Sequence, residues 1–171
     1  MNAEQEKQLR ELLDKRACEE VILRYGRTLD WLDEPSQARC FWPDAEVDFG
    51  FFQGRGEDWV QAVMAQARGS LRRWHVSTSV LVQVDGNSAK AECYALSANS
   101  VEVDGEARDT VFGGRYLDEL EKRDGEWRIS KRSYVLDWSH TFPNALEATT
   151  NDLALHVLRI RDAGHPMYRP L

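Results

Sequence analysis

Apolar residues recur at Leu9, Leu12, Leu13, Ala17, Val21, Ile22, Tyr25 and Leu29, with charged residues filling the positions between them. That spacing keeps one face of a 3.6-residue helix apolar and predicts a long helix, or two in series, over the first thirty residues. The stretch DEPSQARCFWPD (33–44) carries two prolines and predicts a short helix closed off by Pro43, with a strand following in AEVDFGFF. In GRGEDWVQAVMAQARGSLRR (54–73) the helical period returns, glycines marking its entry and, at Gly69, its exit.

From Trp74 the period changes. Three Asp-Gly pairs, Asp85-Gly86, Asp104-Gly105 and Asp124-Gly125, separate runs rich in Val, Tyr, Ser and Thr. Asp-Gly between alternating runs is a hairpin signal, because type I′ turns need positive φ at both central residues. Three such turns predict four consecutive antiparallel strands, roughly 74–84, 88–102, 107–123 and 126–138. Helices followed by a meander define an α+β domain, with the N-terminal helices packed inside a curved, cone-shaped antiparallel sheet. The cone is expected to span 1–142. Residues 143–171 form a tail that covers the pocket or reaches another subunit, with NDLALHVLRIRD (151–162) as a further helix. The open end of such a cone is a natural pocket, and Trp42, Phe49, Phe51, Phe52, Trp74, Trp138 and Phe142 are available to line it.

Composition narrows the chemistry. The 171 residues are 42% hydrophobic and 30% charged, as in a soluble single domain. A net charge of −7, with no basic stripe, argues against nucleic acid as a partner. Three scattered cysteines make no disulfide framework, and the four histidines show no metal-ligand spacing. The polar start MNAEQEKQLRELL lacks the pattern of an export signal and no apolar run approaches a membrane span, so a cytoplasmic location is expected.

Acid–base chemistry remains. His75 opens the meander and, on a regular strand, shares a face with Ser77 and Ser79, an unusual set for a core face. RYGRTLD (24–30) places Tyr25 in the apolar stripe of the first helix and Asp30 five residues on, while Arg132 and Tyr134 lie on the last strand. A carboxylate beside a histidine fixes the imidazole tautomer and stabilises the imidazolium formed on proton abstraction. Helical geometry alone leaves Asp30 and Asp33 as equal candidates for that carboxylate.

RYGRTLD, FWPDAEVDF (41–49), WHVSTSVLV (74–82) and YLDELEKRDGEWRISKRS (116–133), in this order, resemble the SnoaL-like branch of the nuclear transport factor 2-like superfamily. That branch includes dehydratases of bile acids and of scytalone and a hexachlorocyclohexane dehydrochlorinase. The resemblance implies His75 as general base, Asp30 rather than Asp33 as its partner, and Tyr25 and Arg132 as further catalytic groups. Substrate contacts are expected from Phe49, Phe51, Trp42, Trp138, Phe142, Asn99 and Tyr134. The implied activity is a cofactor-independent, dehydratase-like elimination on a hydrophobic cyclic or aromatic molecule, by a homo-oligomer, with a trimer favoured. Alternatives are release of formaldehyde from an aryl-propanoid diol, a ketosteroid-isomerase-like shift using Asp48 or Asp109 as base, and ligand binding without catalysis. Leu136 stands where the bile acid enzymes carry an Arg and Phe49 where they carry a pocket Tyr, which argues against a bile acid substrate.

Overall fold

In the computed structural model, which describes residues 1–144 and 162–171, three helices pack against a six-stranded curved sheet. Helix α1 (Ala3–Asp30) starts from a capping box in which Asn2 and Gln5 satisfy each other's main-chain N–H groups. Only its second half enters the core, through Cys18, Val21, Ile22, Tyr25 and Leu29, whereas Leu9, Leu12 and Leu13 stay exposed. Helix α2 (Glu34–Ala38) is capped by Asp33.

Strand β1 (Phe41–Asp48) begins earlier than the proline pattern predicts, so Pro43 lies inside it rather than ending a helix. Proline is tolerated there because the register of β1 breaks between Phe41 and Glu46, relieving the demand for a ladder N–H. After β2 (Gln53–Arg55) comes α3 (Gly56–Gly69), which buries Trp59, Val60, Val63 and Met64. Gly56 is obligatory at its start, since a Cβ there would overlap the Trp42 carbonyl. Gly69 ends α3 without a left-handed cap, as Ser70 continues directly into extended backbone.

The meander comprises β3 (Arg72–Asp85), β4 (Ser88–Val103), β5 (Glu106–Arg123) and β6 (Glu126–Pro143). Sheet order is β2-β1-β6-β5-β4-β3, and β1 runs parallel to β6, so one parallel pair joins an otherwise antiparallel sheet. Asp104-Gly105 and Asp124-Gly125 both have positive φ, as type I′ turns require. At the first hairpin the loop is instead Gly86-Asn87 with positive φ at Gly86 alone, the II′ pattern.

Two bulges re-aim the strands. In β3 the register slips by one residue between Thr78 and Leu81, with Ser79 at φ 53°. Val80, Val82 and Val84 therefore turn inward, and Ser79, expected beside His75, becomes exposed. In β6 the slip lies opposite Gly113/Gly114, where Leu136 pairs with Gly114 and Trp138 with Gly113. Residues 145–161, which include nearly all of the helix expected over 151–162, fall outside the described part. The last residues return to the α1–α2 turn: Tyr168 donates to Asp33, packs edge-on against Trp31 at 5.4 Å, and lies under the Arg27 guanidinium at 5.1 Å.

Candidate active site

Asp30 is the last residue of α1 and His75 the fourth of β3. Asp30 Oδ1 lies 2.6 Å from His75 Nδ1, and Oδ2 accepts the His75 main-chain N–H at 3.1 Å. One carboxylate thus holds both the ring and the strand that carries it. Asp33, left open by helical geometry, is occupied with Ser36 and Tyr168.

Close approach of helix and strand depends on two residues that the sequence reading passed over. Gly26 packs against His75, and a Cβ there would stand 2.9 Å from the His75 Cβ. Arg73 hydrogen-bonds to the carbonyls of Leu29 (3.2 Å), Asp30 (3.4 Å), Ala67 (2.6 Å) and Ser70 (3.3 Å). It therefore clamps the C-terminal ends of α1 and α3 to the strand bearing His75, a favourable place for a cation. A glycine inside a helical stripe and an arginine two residues before a candidate base were the available signals.

His75, Tyr25 and Arg73 face a cavity of about 270 Å³. Its aromatic wall is built on Phe49, which stacks on Trp59 (centroids 4.1 Å apart) and on Tyr134 (5.4 Å); Phe51, Phe112, Tyr116 and Leu136 complete it. Polar positions are contributed by Ser70, Gln66, Ser97 and Asn99. No Asp or Glu is in the lining among the described residues. Phe49, Phe51, Asn99 and Tyr134, expected at the pocket from sequence, are all there.

Trp42, Trp138 and Phe142 are not. Trp42 donates to the Glu121 carbonyl and sits between the Arg123 and Arg128 guanidinium groups, 4.8 and 4.6 Å from its ring. The β6 bulge turns Trp138 to the outer face, where its indole covers Gly113, and Phe142 packs beside His140. A residue-by-residue alternation could not have foreseen this, because one extra residue reverses every later side chain.

Arg132 points inward, yet it does not line the cavity. Fully buried, it pairs with Asp118 through two bonds of 2.7 and 2.6 Å, and its guanidinium lies 4.3 Å from the Tyr25 ring and 4.1 Å from Tyr116. Burial disfavours its charge, but Asp118 more than compensates and raises its pKa. Burial also raises the pKa of the Tyr25 phenol, an effect that Arg132 only partly offsets, so Tyr25 keeps its proton. The expected catalytic set therefore divides: His75, Asp30 and Tyr25 meet at the pocket, whereas Arg132 stands behind the tyrosines.

Other nucleophiles and bases are placed elsewhere. Burial pushes the thiols of Cys18 and Cys40 up to about 12 and that of Cys93 to about 11, and none lines the cavity. Asp48 accepts from Gly50 and Gln53, and Asp109 from Ser100 and Asn144, both away from the cavity. Among the described residues no cluster could hold a metal ion, and no helix is long and apolar enough to cross a membrane.

No curated protein matches the chain. Solved structures do. A type 2 hexachlorocyclohexane dehydrochlorinase (LinA) superimposes with TM-score 0.72 at 19% identity, over 80% of this chain and 94% of that one. A putative scytalone dehydratase from Novosphingobium aromaticivorans gives TM-score 0.68 at 21% identity, over 78% and 90%. A protein of unknown function from Mycobacterium tuberculosis gives 0.62 at 27% identity, over 74% and 77%. Residues 10–133 match the model of the SnoaL-like domain, which spans most of the helices and sheet that build the pocket, and the chain belongs to that family.

Proposed function

We propose that the protein is a cofactor-independent lyase that removes a proton and an adjacent leaving group, most simply water, from a hydrophobic cyclic or aromatic small molecule. The contact between His75 and Asp30 at the wall of an aromatic pocket carries this reading. A carboxylate accepts, so Nδ1 donates to Asp30 and Nε2 is left with the lone pair of a base. Abstraction turns the C–H electron pair into a C=C bond, the neighbouring C–O bond breaks, and the departing oxygen leaves as water. Asp30 stabilises the imidazolium, and the Tyr25 hydroxyl donates to the oxygen on which charge develops. Likeness to a dehydrochlorinase and a putative dehydratase supports a lyase or isomerase role in this fold.

An isomerase with a carboxylate base is less well supported, because Asp48 and Asp109 lie off the pocket. For a module that only binds ligands, a clasped His–Asp pair facing the cavity has no evident use. Substitution His75→Gln tests the proposal: turnover should fall about 10²–10⁴-fold in a protein that melts as wild type does. A folded variant with undiminished turnover would exclude His75 as the base.

A further inference from the structure

Asn99 Oδ1 is buried in the pocket wall and has no hydrogen-bond partner among the described residues. A buried amide oxygen left unpaired costs about 1–3 kcal/mol, so the site is complete only when something donates to it. Its cross-strand neighbour, Arg73, directs its donors at main-chain carbonyls of the two helices. We propose that the ligand is a hydroxy-aromatic compound whose hydroxyl donates to Asn99 while the carbon that loses its proton lies against His75.

The chemistry of the wall selects this class. The amide oxygen accepts, so it repels a carboxylate or phosphate. An ammonium donor would find no Asp or Glu in the lining to neutralise it. A neutral hydroxyl on a ring suits both this oxygen and the stacked Phe49, Trp59 and Tyr134. Register sets the scale: His75 is opposite Ser97 and Arg73 opposite Asn99, so His75 and Asn99 are diagonal neighbours across β3 and β4. Such neighbours stand roughly 7–8 Å apart. The ligand's hydroxyl and its acidic carbon must span a comparable distance, the reach of a para-substituted phenol from oxygen to side-chain carbon.

The inference rests on the lyase reading only for the role of His75, and the two are tested separately. Affinities of 4-ethylphenol and of 4-ethyltoluene, in which a methyl replaces the hydroxyl, are measured by calorimetry for the wild type, Asn99→Leu and Asn99→Ala. The ratio of the two dissociation constants should move about tenfold or more towards the hydrocarbon in both variants, because the phenol loses its acceptor. Two folded variants are used so that a failure of one to fold leaves the other. His75→Gln should keep the wild-type ratio. An unchanged ratio in the Asn99 variants overturns the proposal, whatever the turnover of His75→Gln; undiminished turnover there overturns the lyase reading and leaves the Asn99 ratio untouched.

Discussion

Gly26 and Arg73 show how much of the candidate site is set by residues that do no chemistry. Alanine at 26 would gain about 1 kcal/mol of helix propensity but place a methyl 2.9 Å from the His75 Cβ, where overpacking costs about 1–3 kcal/mol. Gly26→Ala is therefore expected to lose turnover far more than stability, since the strand must shift by a few tenths of an ångström and the His75–Asp30 contact shifts with it. Thermal melting and kcat/KM, measured together, check this; intact turnover would show that the dyad tolerates the displacement. His75 and Asp30 were legible as residue types with a known use. Their meeting was not, since 45 positions separate them and helical periodicity did not choose between Asp30 and Asp33.

At the scale of elements, α1 is tied to the far end of the sheet by Asp14. Its Oδ1 accepts from Lys122 Nζ at 2.7 Å and from Trp127 Nε1 at 2.8 Å. Burial raises the Asp14 pKa, but these two bonds and the Lys122 charge outweigh it, and the folded value lies below the ordinary one. A lowered carboxylate pKa contributes stability that is present above the unfolded value, about 4, and is lost as pH falls through the folded one. Asp14→Asn is expected to cost about 1 kcal/mol at pH 7 and progressively less below pH 4. Urea denaturation of both proteins at the two pH values checks it; a constant difference would contradict the linkage. The hairpins of the meander were readable because Asp-Gly turns act locally. The bulges at Ser79 and opposite Gly113 were not, because neither residue differs in kind from its neighbours, and they displaced Ser79 and Trp138 from the pocket face.

Over the whole molecule, the outer face of the sheet carries Trp74, Leu81, Tyr94 and Trp138, each more than half exposed, and α1 carries the exposed Leu9, Leu12 and Leu13. Apolar surface on this scale marks an interface in soluble proteins. We propose a homo-oligomer, with a trimer favoured, that covers this sheet face. Light scattering should give a mass near three times 19.7 kDa, and Trp138→Arg should shift it towards the monomer. A wild-type monomer at micromolar concentration would remove the proposal. The docking of Tyr168 beside Asp33 ties the end of the chain to the turn after Asp30, consistent with a tail that belongs to the same structural unit as the site.

Local patterns sufficed for the element types, the order of helices and meander, and the residues able to abstract a proton, because period, turn chemistry and side-chain pKa are properties of short stretches. Tertiary structure alone decided which carboxylate meets His75, which aromatics face the cavity, and that Arg132 serves Asp118 behind the tyrosines. Those outcomes depend on register, on single-residue bulges and on the closeness that Gly26 permits between α1 and β3, quantities that arise only when distant segments pack.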